Sequence, residues 1–96
     1  MSEAIIAVAR AIHDINIDMR ERDILPMWTV YAKPKDFPDG FIARCFETCG
    51  GPPDPVPTGY VITGPLDLIR ESMQRCGMHC MTRNEGDDPV VVETWL

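Results

Sequence analysis

The chain has few positive charges and no long hydrophobic run. Its 96 residues include nine Lys and Arg against 15 Asp and Glu, which gives a formal net charge of −6. Nucleic-acid affinity depends largely on Lys and Arg that neutralise phosphates, and here the basic residues are scattered. The longest apolar run near the start, residues 4–9, is far shorter than the roughly 20 residues of a transmembrane helix. We therefore expect neither a nucleic-acid nor a membrane partner.

The start of the chain and its cysteines predict a compartment. Ser2 and Glu3 form an acidic rather than a basic beginning, and no adequate hydrophobic region follows, so the pattern is not that of a secretory signal. The sequence therefore predicts a cytoplasmic protein, in which the four cysteines stay reduced. A core built from 96 residues is marginal, so we also expect help from a protein partner or a homo-oligomer.

The chain also lacks the short motifs of several enzyme classes. It contains no Walker-type phosphate loop and no GxSxG nucleophile elbow, and His13 and His79 are its only histidines. A Cys–His nucleophilic pair would need His79 with Cys45 or Cys49, and nothing in the sequence fixes that geometry. The sequence therefore predicts no catalytic residue and no cofactor.

Residues 2–22 have the pattern of an amphipathic helix, which Pro26 would stop. Five apolar side chains recur at alternating steps of three and four residues and form one seam: Ile5, Val8, Ile12, Ile15 and Met19. A seam with this spacing packs either on a sheet or against its own copy in a coiled-coil dimer. Two heptads leave both alternatives open.

From residue 27 the pattern changes to short strands around one helix. The helix, residues 65–77, begins at a proline and ends at Gly77, which suits a left-handed C-cap. Glu71 and Arg75 are spaced to pair on its surface. Residues 49–59 contain four prolines and three glycines and predict an extended loop. The predicted strands span residues 27–33, 41–48, 60–63, 78–83 and 90–96.

The order of these elements predicts an α+β fold. We expect a mainly antiparallel sheet of about five short strands with one central helix and an N-terminal amphipathic helix, the helices lying on one face. Residues 27–96 then form a single α+β domain, and residues 1–26 form an N-terminal helical extension. The abrupt change of pattern raises the hypothesis that the extension is dispensable, or that translation starts at Met27.

The cysteines form two C-x3-C pairs, Cys45 with Cys49 and Cys76 with Cys80. A structural zinc site needs four ligands that converge within about 2.3 Å of one point for sulfur. Four residues of strand carry the chain about 13 Å, so Cys45 and Cys49 are too far apart to share an ion. We therefore predict no metal site. The alternative is a zinc-stabilised domain that uses Cys76, His79, Cys80 and one of Cys45 or Cys49.

The turn between the first two strands carries the candidate binding residues. Lys33, Lys35 and Arg44 place three of the nine basic residues around one hairpin. Phe37 lies between two prolines and either covers the end of the sheet or forms an exposed aromatic anchor. We assign Lys35, Asp36, Phe37 and Arg44 as candidate binding residues. If the hairpin instead holds an acidic small molecule, Asp36 is a candidate base.

Three segments of the chain resemble a family of short uncharacterised bacterial proteins: MWTVYAKPKDFPDGFIARCFE, PTGYVITGPLDLIR and NEGDDPVVVETWL. The family pattern runs from MWTxY through PxD[FY]PxxFxAR to a closing DDPV[VI]ExWL, and the resemblance covers residues 27–96. It implies a small cytoplasmic bacterial protein and brings no assigned activity. Cys45 departs from the pattern, which commonly has a second basic residue after the arginine matched by Arg44, and the closing segment DDPVVVETWL has one valine more than the pattern.

Three functional hypotheses follow from the sequence. The favoured one is a non-catalytic module that binds another protein or itself, because a credible catalytic set is lacking, the core is marginal, and a helical seam and a Pro-rich loop are present. The second is the zinc-stabilised small domain. The third is a small-molecule enzyme that uses the hairpin between Lys33 and Arg44. The sequence does not identify the partner or ligand.

Overall fold

A computed structural model of the chain describes residues 3–32, 40–48, 56–82 and 91–96. The described elements, in chain order, are α1 (Glu3–Glu21), β1 (Leu25–Ala32), β2 (Phe41–Thr48), β3 (Val56–Gly64), α2 (Leu66–Arg75), β4 (Cys80–Thr82) and β5 (Val91–Trp95). These two helices and five strands confirm the predicted α+β fold.

The strands form one sheet in the order β3-β2-β1-β5-β4, and every neighbouring pair is antiparallel. Side chains alternate between the two faces of a strand, so the register assigns each residue to a face. Trp28 pairs with Cys45 and with Trp95, and all three belong to one buried cluster with side chains of α1 and α2. Both helices therefore pack on the same side of the sheet, which we call the helix-covered face.

The apolar seam of α1 packs against this face. Ile12 and Met19 are fully buried, and Val8 and Ile15 pack around them. Because the seam is used inside the fold, the helix-on-sheet alternative is the one observed, and the seam is not free to form a coiled coil. The helix ends at Glu21, several residues before Pro26 would stop it. Asp23 adopts a left-handed conformation with φ of 58° and closes the helix with a Schellman pattern of hydrogen bonds.

The second helix, α2, ends with the glycine cap that its sequence indicates. Ile69 and Met73 are fully buried on its inner side. Gly77 follows the helix with φ of 73°, and its N–H donates to the Gln74 carbonyl at 3.0 Å. A left-handed residue at this position is most easily supplied by glycine, because no Cβ clashes with the backbone. The predicted ending of α2 is confirmed.

The predicted loop at residues 49–59 is wrong over its last four residues. β3 begins at Val56 rather than at residue 60, and Pro57 pairs with Phe46. β3 is an edge strand that pairs only with β2, so a residue without an N–H group is tolerated there. The register shifts between Arg44 and Phe46, which marks the prolyl part of the strand as irregular. Residues 49–55 lie outside the described part of the chain.

Candidate functional site

Of the four candidate binding residues, the structure describes one. Lys35, Asp36 and Phe37 lie outside the described residues, together with Lys33. Arg44 is exposed in the middle of β2. Within the described residues its guanidinium takes part in no ion pair. The part of the predicted hairpin site that can be placed is therefore an unpaired cation on the sheet.

Arg44 lies on the side of the sheet opposite the helices. The register between β1 and β2 places it beside Thr29, and that between β2 and β3 places it beside Val61. No described element packs over this side, which we call the open face. The described side chains of the open face are Leu25, Met27, Thr29, Tyr31, Ile42, Arg44, Phe46, Thr48, Val61, Thr63, Met81, Val91 and Thr94.

The open face is mostly apolar. Arg44 is its only charged member among the described residues, although charged residues make up 25% of the chain. Val61 is 42% exposed and Met81 49% exposed, while Ile42 and Phe46 are half-buried. Its apolar side chains lie on both sides of a polar row formed by Thr94, Thr29 and Arg44. Several exposed apolar side chains grouped on one face commonly mark an interaction site, because single exposed apolar residues are ordinary but patches are not.

The described cysteines do not form a common site. The Cys45 thiol is buried in the core beside the Met19 sulfur, at 3.5 Å, and burial raises its pKa to about 11. Cys76 is half-buried and donates to the Ala9 carbonyl of α1 at 3.1 Å. Cys80 is exposed on β4. Among the described residues no three His, Cys, Asp or Glu side chains group in a way that could hold a metal ion.

That finding covers the zinc alternative that uses Cys45, whereas the set that uses Cys49 extends beyond the described residues. Cys45, Cys76, His79 and Cys80 are described, and His79 is exposed where its backbone bridges to Leu96. Cys49 lies outside the described residues. Burial also raises the pKa values of the Cys76 and Cys80 thiols, so both are protonated and weakly nucleophilic at neutral pH.

A buried carboxylate lies on the helix-covered face. Glu93 of β5 is 4% exposed and accepts two hydrogen bonds from Arg70 Nε and Nη2, at 3.0 and 2.7 Å to Oε1. The Trp95 Nε1–H donates to its other oxygen at 2.7 Å. These bonds raise the pKa of Arg70. The sequence analysis missed this group; its signal is a Glu and a Trp two residues apart on one face of a strand. Its fully satisfied geometry suits a structural role.

A second polar contact joins α1 to the sheet. Trp28 Nε1–H donates to the Asn16 side-chain oxygen at 2.9 Å, and both residues are buried. Asn16 Nδ2–H also donates to the Met78 sulfur at 3.4 Å. The buried donors and acceptors of this contact therefore have partners, as buried polar groups require. It positions α1 rather than offering a ligand a free group.

A small cleft lies on the outer surface, where α1 meets the end of α2. Its volume is about 250 Å³, and its lining residues are Ile6, Ala9, Arg10, His13, Arg75 and Cys76. The predicted Glu71–Arg75 pair is not among the ion pairs of the described residues, and Arg75 lines this cleft instead. The sequence does contain one feature that points to the α1 side of this cleft, a second stripe along the helix. Its members, Ile6, Arg10, His13 and Ile17, recur at steps of four, three and four residues.

Comparison of the chain with protein-family profiles, curated proteins and solved structures finds no match. The resemblance to a bacterial family therefore stays a prediction. Over the part of the chain that the structure describes, no helix is long and apolar enough to cross a membrane.

Proposed function

We propose that this protein is a non-catalytic module that associates with a second copy of itself through the open face. The observation that supports the proposal is the contrast between a sheet face on which both helices pack and a mostly apolar face over which no described element lies. The sheet leaves Ile42, Phe46 and Val61 in contact with solvent. Covering them removes apolar surface from water, which is the main favourable term in protein association.

The dimensions of the open face suit a dimer. β1 and β2 have eight residues each and β3 has nine. With about 3.3 Å per residue and about 4.8 Å between strands, the long strands and β5 present a flat area of roughly 400 Å² before side-chain relief. A standard interface buries about 800 Å² per partner, with the rim included. A face of this size is of the right order to form the centre of such an interface.

A second copy is a suitable occupant because two identical sheets have the same twist. Twisted sheets pack face to face about 10 Å apart, with their strands aligned to within about 30°. Both partners then contribute the same apolar side chains. Arg44 does not prevent this packing: it lies on β2, one strand from the edge, and its long stem allows the guanidinium to reach solvent at the rim.

The sheet edges are less suitable for association than the face. At one edge β4 has three residues. At the other, β3 contains Pro57, and Thr58 ties the irregular part of the strand to β2, donating to the Cys45 carbonyl at 2.8 Å. Short strands, prolines and bulges all hinder strand addition at an edge. The face is therefore the surface on which we place the interface.

Analytical ultracentrifugation of matched variants tests the proposal. Val61 on the open face and Ile17 on α1 are both 42% exposed, β-branched and aliphatic. We expect the wild-type chain to be dimeric at ~100 μM, since interfaces of standard size have micromolar or lower dissociation constants. Val61→Asp should weaken the dimer by more than about tenfold, because it puts a charge that must lose water into the interface, a cost that pairing with the neighbouring Arg44 does not fully offset. Ile17→Asp should leave it unchanged.

Two outcomes would contradict the proposal. A wild-type chain that sediments as a monomer at that concentration would exclude self-association of useful strength. A dimer that survives Val61→Asp but dissociates with Ile17→Asp would place the interface on α1 instead. Circular dichroism of both variants, at a concentration low enough for the wild-type chain to be monomeric, should give the wild-type spectrum and melting temperature, which shows that the change acts on association and not on folding.

A further inference from the structure

The cleft between α1 and α2 carries a positive charge that the fold does not use. Arg10 comes from α1 and Arg75 from the last turn of α2, so arginines from two different helices border the same cleft. The two ion pairs of the described residues join Arg22 to Asp18 and Arg70 to Glu93. Arg10 and Arg75 have no acidic partner within the described residues. In a chain with a formal net charge of −6, two unpaired arginines on one small cleft need an explanation.

The remaining lining residues add one further nitrogen donor and an apolar wall. His13 lies one helical turn after Arg10 and also borders the cleft. Ile6, which is 45% exposed, and Ala9 form the apolar part of the lining. The Cys76 thiol donates to the Ala9 carbonyl at 3.1 Å and stays protonated at neutral pH because burial raises its pKa. It therefore holds the two helices together here without adding a negative charge.

We infer that this cleft binds a phosphate monoester with a small apolar group, through Arg10 and Arg75 on the phosphate and Ile6 on the apolar group. Guanidinium groups match the geometry of phosphate oxygens and form strong charge-assisted hydrogen bonds with them. Two cations suit a dianion better than a single carboxylate. The volume of about 250 Å³ lies just below the usual range for small-molecule pockets, which begins at about 300 Å³, and so limits the apolar group to the size of one ring.

Binding of three simple probes tests this inference by isothermal titration calorimetry: phenyl phosphate, inorganic phosphate and benzoate. Phenyl phosphate should bind most tightly, with a dissociation constant on the order of 1 mM or below. Inorganic phosphate should bind less tightly because it lacks the contact with Ile6, and benzoate less tightly because it carries one charge. Amide shifts in NMR spectra should centre on Ala9, His13 and Cys76.

Matched variants identify the residues responsible. Arg10→Gln and Arg75→Gln should each weaken phenyl phosphate binding by about tenfold or more, because each removes charge-assisted hydrogen bonds. Ile6→Ala should weaken the binding of phenyl phosphate but not that of inorganic phosphate. Arg22→Gln is the control: it removes the same charge from a residue that already pairs with Asp18 at 3.0 Å, and it should change nothing.

Three results would overturn the inference. The first is the absence of saturable phenyl phosphate binding up to ~10 mM, well above the expected dissociation constant. The second is an equal loss of affinity in the Arg22→Gln control, which would show a response to net charge and not a site. The third is benzoate that binds as tightly as phenyl phosphate, which would exclude recognition of a dianion. All the substituted side chains are exposed, so the variants should fold.

Discussion

The two faces of the sheet use the same strands in opposite ways. On the helix-covered face, Trp28, Val30 and Ala43 are fully buried under the helices. One residue along each strand, Met27 and Ile42 on the open face remain partly in contact with solvent. Both faces are apolar, so apolar character alone does not indicate which face the chain covers with its own helices.

The charged residues of the two faces differ in the same way. Glu93 on the helix-covered face is buried and its carboxylate accepts hydrogen bonds from Arg70 and Trp95. Arg44 on the open face is exposed and takes part in no ion pair within the described residues. A charge that the fold satisfies contributes to folding, and a charge that the fold leaves unsatisfied is available to a partner. The comparison separates residues that stabilise the fold from residues that are free for binding.

The largest effect on stability is expected when α1 is removed from the helix-covered face. A chain that begins at Met27 lacks Ile12 and Met19, both fully buried, and loses the Asn16 partner of Trp28. Burying each large apolar side chain contributes about 1.5–3 kcal/mol, and a small domain has only about 5–15 kcal/mol of total stability. We expect this shortened chain to lose its cooperative thermal unfolding, measured by circular dichroism.

The full-length variant Ile12→Ala serves as the intermediate step for that experiment. It should unfold cooperatively but with stability reduced by about 2–5 kcal/mol, as for other buried isoleucines. A shortened chain that melts cooperatively within a few degrees of the full-length protein would show that α1 is dispensable, as the sequence pattern alone suggested. It would also show that the difference between the two faces does not depend on α1.

The sequence predicted the elements of this fold well because their local signals agree. In β2, Phe41, Ala43 and Cys45 alternate with Ile42, Arg44 and Phe46, and the first three do face the core, as a strand period of two requires. Gly77 correctly predicted the left-handed ending of α2. In both cases the backbone period or a single special conformation decides the outcome, and these are properties that a short segment carries by itself.

The remaining features depend on residues that are distant in sequence. Residues 56–59 read as a loop because of Pro57, and only the free edge of the sheet makes a strand possible there. Arg75 was expected to pair with Glu71, but it lines a cleft with Arg10, 65 positions earlier in the chain. The second stripe on α1 places Arg10 and His13 on one side of that helix, but no local pattern shows that Arg75 of α2 lies beside them. The complete cleft could therefore not be predicted from either helix alone.

A smaller test removes the buried charge from the helix-covered face. Glu93→Gln keeps the shape of the side chain but exchanges a carboxylate that accepts from Arg70 and Trp95 for a neutral amide. We expect the free energy of unfolding in urea to fall by about 1–3 kcal/mol, the usual contribution of hydrogen bonds to a charged group. The effect stays moderate because the Arg70 side chain is 45% exposed and can return to water.

Glu71→Gln is the control for that change. Glu71 is exposed on α2 and belongs to no ion pair of the described residues. The free energy of unfolding of the Glu71→Gln variant should therefore stay within about 0.5 kcal/mol of the wild-type value. Equal effects of the two substitutions would show that the protein responds to its net charge. The buried contact of Glu93 would then have no special role in stability.

The smallest effect on folding is expected on the open face, at Arg44. Arg44→Met keeps most of the aliphatic stem and removes a charge without an ion-pair partner among the described residues, so monomer stability should change by less than about 0.5 kcal/mol. Its effect on association is more informative. If a second copy covers the open face, the substitution removes two like charges from the rim of the interface, and the dimer should tighten by up to a few-fold.

Arg20→Met separates this local effect from that of net charge. Arg20 is exposed at the end of α1, away from the open face, so losing its charge should leave the dimer constant unchanged. If Arg44→Met weakens association instead, Arg44 must meet a carboxylate of the other molecule, because removing an attractive contact lowers affinity. Sedimentation of the two variants therefore decides whether the open face is complementary to itself or to an acidic surface.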